Sequence, residues 1–464
     1  MEFPRIIQGG MGVGISGWRL ASAVASNGGL GVIAGIGLDE VMIRRLQLGD
    51  LGGHIRRALE QFPLKDVAEK ILNKFFKENG KKPDEPFISN ALMNYKMSPD
   101  REDLIIASGF TETFLAKEGH GGLVGINIIT KVQSDCLYTL YGCMLAGVDY
   151  VIMGAGIPKD IPEVLDRLSL NLPVKLKLNV SGAGPEDDFN ISFDPARYKQ
   201  EKPLKRPKFL AIISSNILSV MLLKKAAGKI DGFVVERNIA AGHNAPPRDS
   251  SQLNEKGEPV YTQKDEVDLE KLKKLGLPFW LAGGYSVKGK LKEALDKGAA
   301  GIQTGTPFIL CNESEVPEEL KTAIFNSEKD IFTDPCASPT GFPFKVTRLK
   351  GTLSDESVFK ARPRVCNLGY LRERYKKADG TIGNRCPAEP LKDYTERGGN
   401  EKDALNCKCL CNALLANIGK GSEYKSGYVE LPLITAGNVL ADLDYSRIKP
   451  GISAKEVMQY LSED

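Results

Sequence analysis

The sequence predicts an α/β protein built on a closed (β/α)₈ barrel of the TIM type, with a helical insertion and an appended C-terminal region. Three observations predict it. Short apolar runs alternate with helical patterns, as expected for parallel strands joined by crossover helices. These units recur about eight times with short turns, the number that closes a barrel. Glycine-rich turns follow several of the strands, at the end where such a barrel assembles its ligand site.

Taken in order, Arg5-Ile6-Ile7-Gln8 reads as the first strand and Gly9 to Gly17 as a glycine-rich turn. Ser16 is placed to cap a helix over Trp18–Ser26, which Gly28-Gly29 ends. Leu30–Ala34 is the second strand. The charged stretch 39–82 reads as added helices, Leu64–Glu78 among them, and the whole insertion at 39–120 has the length of a lid. Leu123–Ile128 and Tyr150–Met153 read as strands three and four, followed by helices Cys136–Ala146 and Pro162–Leu168. Val174–Val180 and Phe209–Ser214 compete for strand five, separated by a Pro-, Asp- and Lys-rich excursion over Gly182–Lys208. Helix Ile217–Ala227 precedes strand Gly232–Glu236, which runs into Ala240-Ala241-Gly242-His243 and a polar loop at Pro246–Gln263. Phe279–Ala282 leads into Gly283-Gly284, and Ala300–Gln303 into Gly305-Thr306, with helix Leu291–Lys297 between them. The barrel therefore spans residues 1–310. Residues 311–464 turn to Pro-Gly segments, basic runs and helices such as Leu405–Ile418, an extension expected to pack on the barrel.

Composition narrows the function. With 42% hydrophobic and 26% charged residues, the 464-residue chain is globular. A net charge of +3 is too mild to point to nucleic acid or an acidic membrane surface. No run of apolar residues is long enough to span a bilayer, and Met1–Arg5 opens no export signal, so a cytoplasmic protein is expected. Nine cysteines fit a reducing compartment. A homo-oligomer is left open.

The glycine motifs carry the first chemistry. Gly12-x-Gly14-x-x-Gly17, with Asp39 downstream, matches a dinucleotide fingerprint, but that reading leaves the later glycine pairs unexplained. Ala282-Gly283-Gly284-Tyr285 and Gln303-Thr304-Gly305-Thr306 follow consecutive strands. The last two turns of a barrel often hold phosphate through backbone N–H groups, and Thr306 adds a hydroxyl donor.

In this order, Gln8-Gly9-Gly10-Met11, Gly28 to Val32, Gly125-Ile126-Asn127, Glu236 through His243, and the two late turns resemble the nitronate monooxygenase (2-nitropropane dioxygenase) family over residues 4–310. The turn after Gln8 is Gly-Gly where that family often has Ala-Pro, and Ala241 stands where it has glycine. Flavin enoyl reductases of fatty-acid and polyketide synthesis share the motif set. The resemblance implies FMN at the barrel mouth. Gly10, Met11 and Asn127 would lie near its ring system, and Ser214 along its tail. Gly283, Gly284, Gly305 and Thr306 would hold the phosphate, with Gly242 and Gln303 also close.

Three histidines are present. His54 reads as a solvated residue of the insertion. His120 precedes strand three, at the end away from barrel chemistry. His243 follows strand six in a glycine turn and should face the catalytic mouth, where imidazole serves as base or anion partner. The reaction implied is oxidation of alkyl nitronates or nitroalkanes by O₂ to a carbonyl compound and nitrite. The alternative is reduction of an enoyl substrate with NAD(P)H, and a non-enzymatic flavoprotein scaffold is a third class. Cys366, Cys386, Cys407, Cys409 and Cys411 crowd the extension. They read either as buried small hydrophobes or as ligands of zinc or an iron–sulfur cluster, and no metal site is assigned from the spacing.

Overall fold

The computed structural model describes residues 3–198 and 200–464. Eight parallel strands close into a barrel. They are β1 (Ile6–Gln8), β2 (Leu30–Ala34), β3 (Leu123–Ile129), β4 (Tyr150–Gly154), β5 (Lys208–Ile213), β6 (Gly232–Glu236), β7 (Phe279–Ala282) and β8 (Gly301–Thr304). Neighbours in space are neighbours in sequence, and β8 pairs with β1 in register Ile7 to Gln303.

The strands read as near-continuous apolar runs because both faces are buried. One face fills the barrel with Ile7, Val32, Ile152, Leu210, Val234 and Trp280. The Trp280 indole donates to the Pro4 carbonyl at 2.7 Å, which satisfies its buried N–H. The other face packs on the helices in a second, larger core.

Strand five is settled by this rule. Val174–Lys177 alternates buried and exposed residues and pairs antiparallel with Asn190–Phe193 in a side hairpin. The apolar run of β5 enters the barrel between β4 and β6. The excursion between them is thus a hairpin and a short 3₁₀ turn, not a loop throughout.

The insertion contains helices Leu38–Gln47, His54–Glu60, Lys65–Phe75 and Pro99–Lys117. The third is shorter than the expected Leu64–Glu78, because Phe76 turns extended and ends it. Asp39 binds no ribose. It is buried in the first of these helices, paired with Arg101 at 2.5 Å and accepting from the Tyr370 hydroxyl at 2.5 Å. The fingerprint glycines belong to the first barrel turn, as the barrel reading expects.

Ser16 does not cap helix Trp18–Ser26. Its hydroxyl is engaged by the Gln8 side chain at 2.8 Å and the Met11 amide at 3.0 Å, tying the first turn together. The Trp18 amide is met instead by Glu112 at 2.7 Å.

Beyond β8 the chain folds back over the barrel. Ile331–Asp334 and Phe344–Thr347 form a small sheet with Gly242–His243. The helix expected over Leu405–Ile418 covers only Leu410–Ala416. Helix Ala454–Ser462 packs against both Trp18–Ser26 and Lys290–Asp296, completing the outer ring between the first and seventh units. Among the described residues, no helix is long and apolar enough to cross a membrane.

Candidate active site

The C-terminal ends of the strands open into one cavity, to which Gly9, Ala34, Ile129, Gly154, Ile212, Glu236, Ala282 and Thr304 each contribute a wall. Residues from the C-terminal region, including Tyr370, Leu410, Cys411, Thr435 and Gly437, cover it.

The first turn is shaped by Gln8. Buried at the end of β1, it accepts from the Val32 amide at 3.1 Å and so binds two strands. Gly10 lies against Asn127 so closely that a Cβ there would sit 2.7 Å from the Asn127 Cβ. Asn127 itself donates to the Ile152 carbonyl at 3.3 Å, which orients its amide at the cavity wall.

The two late turns form a cradle. Gly283 and Gly284 have φ of +84° and +83°, a region L residues avoid. A Cβ on Gly284 would lie 2.7 Å from Ile239 Cδ1, and one on Gly305 would lie 3.0 Å from Met11 Sδ. Thr306 Oγ1 accepts from the Gly437 amide at 3.1 Å, and its proton is left to donate. Gln303 Oε1 is buried without a hydrogen-bond partner, a position that costs free energy unless something polar binds there.

His243 sits on this cavity. The Gly242 amide donates to Thr435 Oγ1 at 2.7 Å, and His243 pairs with Phe344 across the short sheet. Its ring packs edge-on to Phe344, with centroids 4.8 Å apart, and Nε2 lies 2.7 Å from Ser338 Oγ. Burial, reinforced by the Lys131 cation, pushes the imidazole down to about 4, so it is neutral at neutral pH.

Glu236 is the residue the motifs underplayed. It ends β6 on the cavity wall, and burial pushes its carboxyl up to about 8. At neutral pH the cavity thus faces a neutral imidazole and a neutral carboxyl.

Of the residues expected at the cofactor, Gly10, Met11, Asn127, Gly242, Gly283, Gly284, Gln303, Gly305 and Thr306 all line this one cavity. Ser214 follows β5 and lies outside the lining. His120 is remote from the mouth, held by Ser22 and the Ala116 carbonyl. His54 is half-buried rather than solvated, its ring 4.9 Å from that of Trp18.

The fold is a (β/α)₈ barrel whose lined cavity opens at the C-terminal ends of its strands. The family model described as nitronate monooxygenase matches residues 176–336, a span that takes in β5 to β8, both late glycine turns and His243. Over that span the resemblance carried by the motifs is shown, and the chain is an oxidoreductase. Among solved structures, FabK from Thermotoga maritima is similar at 16% identity and TM-score 0.46, with 99% of this chain and 91% of that chain covered. A nitroalkane oxidase from Streptomyces ansochromogenes is similar at 14% identity and TM-score 0.48, covering 98% and 94%. The enoyl reductase domain of MlnA from Bacillus amyloliquefaciens is similar at 11% identity and TM-score 0.47, covering 99% and 94%. A search among curated proteins finds no match.

Proposed function

We propose that this protein binds FMN at the barrel mouth and oxidises alkyl nitronates with O₂ to a carbonyl compound and nitrite. One observation carries the reading: a single cavity joins the glycine cradle of the late turns to His243. The residues fit the cofactor. Gly283, Gly284, Gly305 and Thr306 offer backbone amides and a hydroxyl at turns too tight for a Cβ on Gly284 or Gly305, which would meet Ile239 or Met11. Gly10, Met11, Asn127 and Gly242 would flank the flat ring system, and the unpartnered Gln303 oxygen would take one of its N–H groups. Ser214, outside the lining, has no part in this set. The bound flavin supplies the two-electron redox chemistry, and the protein supplies position and charge.

The side chains favour the nitronate over the neutral nitroalkane. Nε2 is engaged by Ser338, and in the tautomer that carries its proton there the Nδ1 lone pair is the free proton acceptor. An imidazole held at about 4 is a weak base toward a neutral carbon acid. An anion beside it raises that value, so a bound nitronate draws a proton onto the ring and is held as an ion pair. Glu236, protonated at neutral pH, presents no competing negative charge.

The test begins with the purified protein. FMN should be released on denaturation and identified by mass. Anaerobic mixing with a nitronate should bleach the flavin, and NADPH should not. Replacing His243 with Asn should lower kcat/KM for the nitronate by about a hundredfold or more while FMN content holds. Bleaching by NADPH with the nitronate inert would make the protein an enoyl reductase. Unchanged nitronate turnover in the variant would remove His243 from the chemistry.

A further inference from the structure

All nine cysteines carry free thiols. Seven of them lie beyond residue 310, and four of these, Cys366, Cys386, Cys409 and Cys411, wall one small void beside the mouth cavity. We propose that these four thiolates ligate a cubane iron–sulfur cluster, [4Fe–4S], set into the covering layer of the active site.

Four thiols around one space is the ligand set such a cluster takes. Cys386, Cys409 and Cys411 also touch through a small apolar cluster that Cys407 joins, yet Cys366, Cys386, Cys409 and Cys411 share the wall of the void. Cys407 shows the contrast. It is buried against the Ala337 carbonyl, 3.9 Å from its sulfur, and lines none of the void. Among the described residues, no three His, Cys, Asp or Glu side chains converge as they would around a single metal ion. A cubane asks for something different: its ligands stand around a body several atoms wide, not around a point.

The surroundings also suit bound thiolate. Asn412 Nδ2 donates to Cys409 Sγ at 3.5 Å, and the backbone amides of Leu371 and Tyr370 reach the Cys411 sulfur. Arg372 lies on the void wall near Cys366, and Arg362 near Cys409. Donors to sulfur and nearby cations stabilise the negative charge of a thiolate-ligated cluster and set its potential. Assembly replaces four S–H bonds by four Fe–S bonds and releases the four thiol protons to solvent.

Location gives the centre its use. Cys411, Leu371 and Leu410 belong to the walls of both the void and the mouth cavity. A cluster there would exchange one electron at a time with the redox site, its iron passing between the oxidised and one-electron-reduced states. The balancing electron would come from a one-electron carrier of the ferredoxin class.

The experiment needs no substrate and does not depend on the nitronate reading. The full chain is purified without oxygen, and iron, zinc and acid-labile sulfide are measured per chain. About four irons and four sulfides are expected, with an electron paramagnetic resonance signal after reduction by dithionite. Cys366→Ser, Cys386→Ser, Cys409→Ser and Cys411→Ser should each lose most of the iron. Cys407→Ser, at a position at least as buried as the other four, should keep it, which separates ligand loss from misfolding. Protein free of iron after both anaerobic purification and reconstitution with iron and sulfide overturns the proposal. So does stoichiometric zinc without sulfide, or iron loss from Cys407→Ser equal to that from the other four.

Discussion

At the level of single residues, the mouth cavity is governed by two side chains with displaced titrations. Burial lifts Glu236 from 4.5 to about 8 and lowers His243 from 6.5 to about 4. Glu236 therefore stays protonated through neutral pH, and its ionisation above about 8 would place a carboxylate beside an anionic substrate. The expected result is a kcat/KM for nitronate that falls about tenfold per pH unit above that point, measured as a pH–rate profile. Glu236→Gln should flatten this limb. A limb of the same slope in the Gln variant would assign the ionisation elsewhere. The same shift appears in stability. Below 4.5 the carboxyl is protonated folded or unfolded, and between 4.5 and about 8 only the unfolded chain releases the proton, so stability is lost as pH rises through that window. The melting temperature of Glu236→Gln should therefore gain on the parent from pH 4.5 to about 8 and then run parallel to it. Motifs could suggest His243, because a histidine in a glycine turn after a strand is a local pattern. They could not single out Glu236, whose burial comes from walls supplied by residues far along the chain. Nor could they place Ser16, whose hydroxyl goes to Gln8 rather than to the helix beside it.

Elements were legible in proportion to how local their cause is. β2, β6 and β7 have the bounds their apolar runs suggest, because a strand buried on both faces writes its whole length in hydrophobic residues. The rival for strand five could have been dismissed on the same ground. Val174-Lys175-Leu176-Lys177 alternates, the mark of a strand with one wet face, while Phe209 to Ile213 does not. Helix ends were less legible, since the first helix is met by Glu112 from a helix some ninety residues on. The turn after β7 gives the sharpest prediction at this scale. Gly284→Ala forces an L residue to φ +83° and sets a methyl against Ile239. The backbone alone costs about 1–2 kcal/mol, and relief of the clash would move the cradle. The variant should fold, melt lower and retain much less FMN, read as flavin per chain. Full FMN retention would mean that the phosphate is held elsewhere.

Over the whole molecule, the end of the chain returns to its beginning. Helix Ala454–Ser462 fills the gap between the first and seventh helices, and a Cβ on Gly29 would lie 2.7 Å from Met458 Cε. Cys311, just past β8, pairs with Ile452. No local pattern could reveal this, because the partners are separated by most of the sequence. The residues after 310 read as an extension, yet their last helix occupies a place in the ring of the barrel itself. A chain ending at Lys449 tests how far the barrel depends on it. The deletion removes Val457, Tyr460 and Leu461 from the core and uncovers the face of helix Trp18–Ser26 that packs against them. Each fully buried aliphatic or aromatic side chain contributes about 1.5–3 kcal/mol, and a domain's whole stability is about 5–15 kcal/mol. Loss of three such groups with their partners should leave the truncated chain insoluble, or melting many degrees lower and cleaved rapidly within the first helix. A truncated chain that melts within about 2 °C of the full protein would make the last helix an attachment. If instead the shortened chain regains its melting temperature when the peptide 450–464 is added, the barrel wall is completed by that helix as a docked piece.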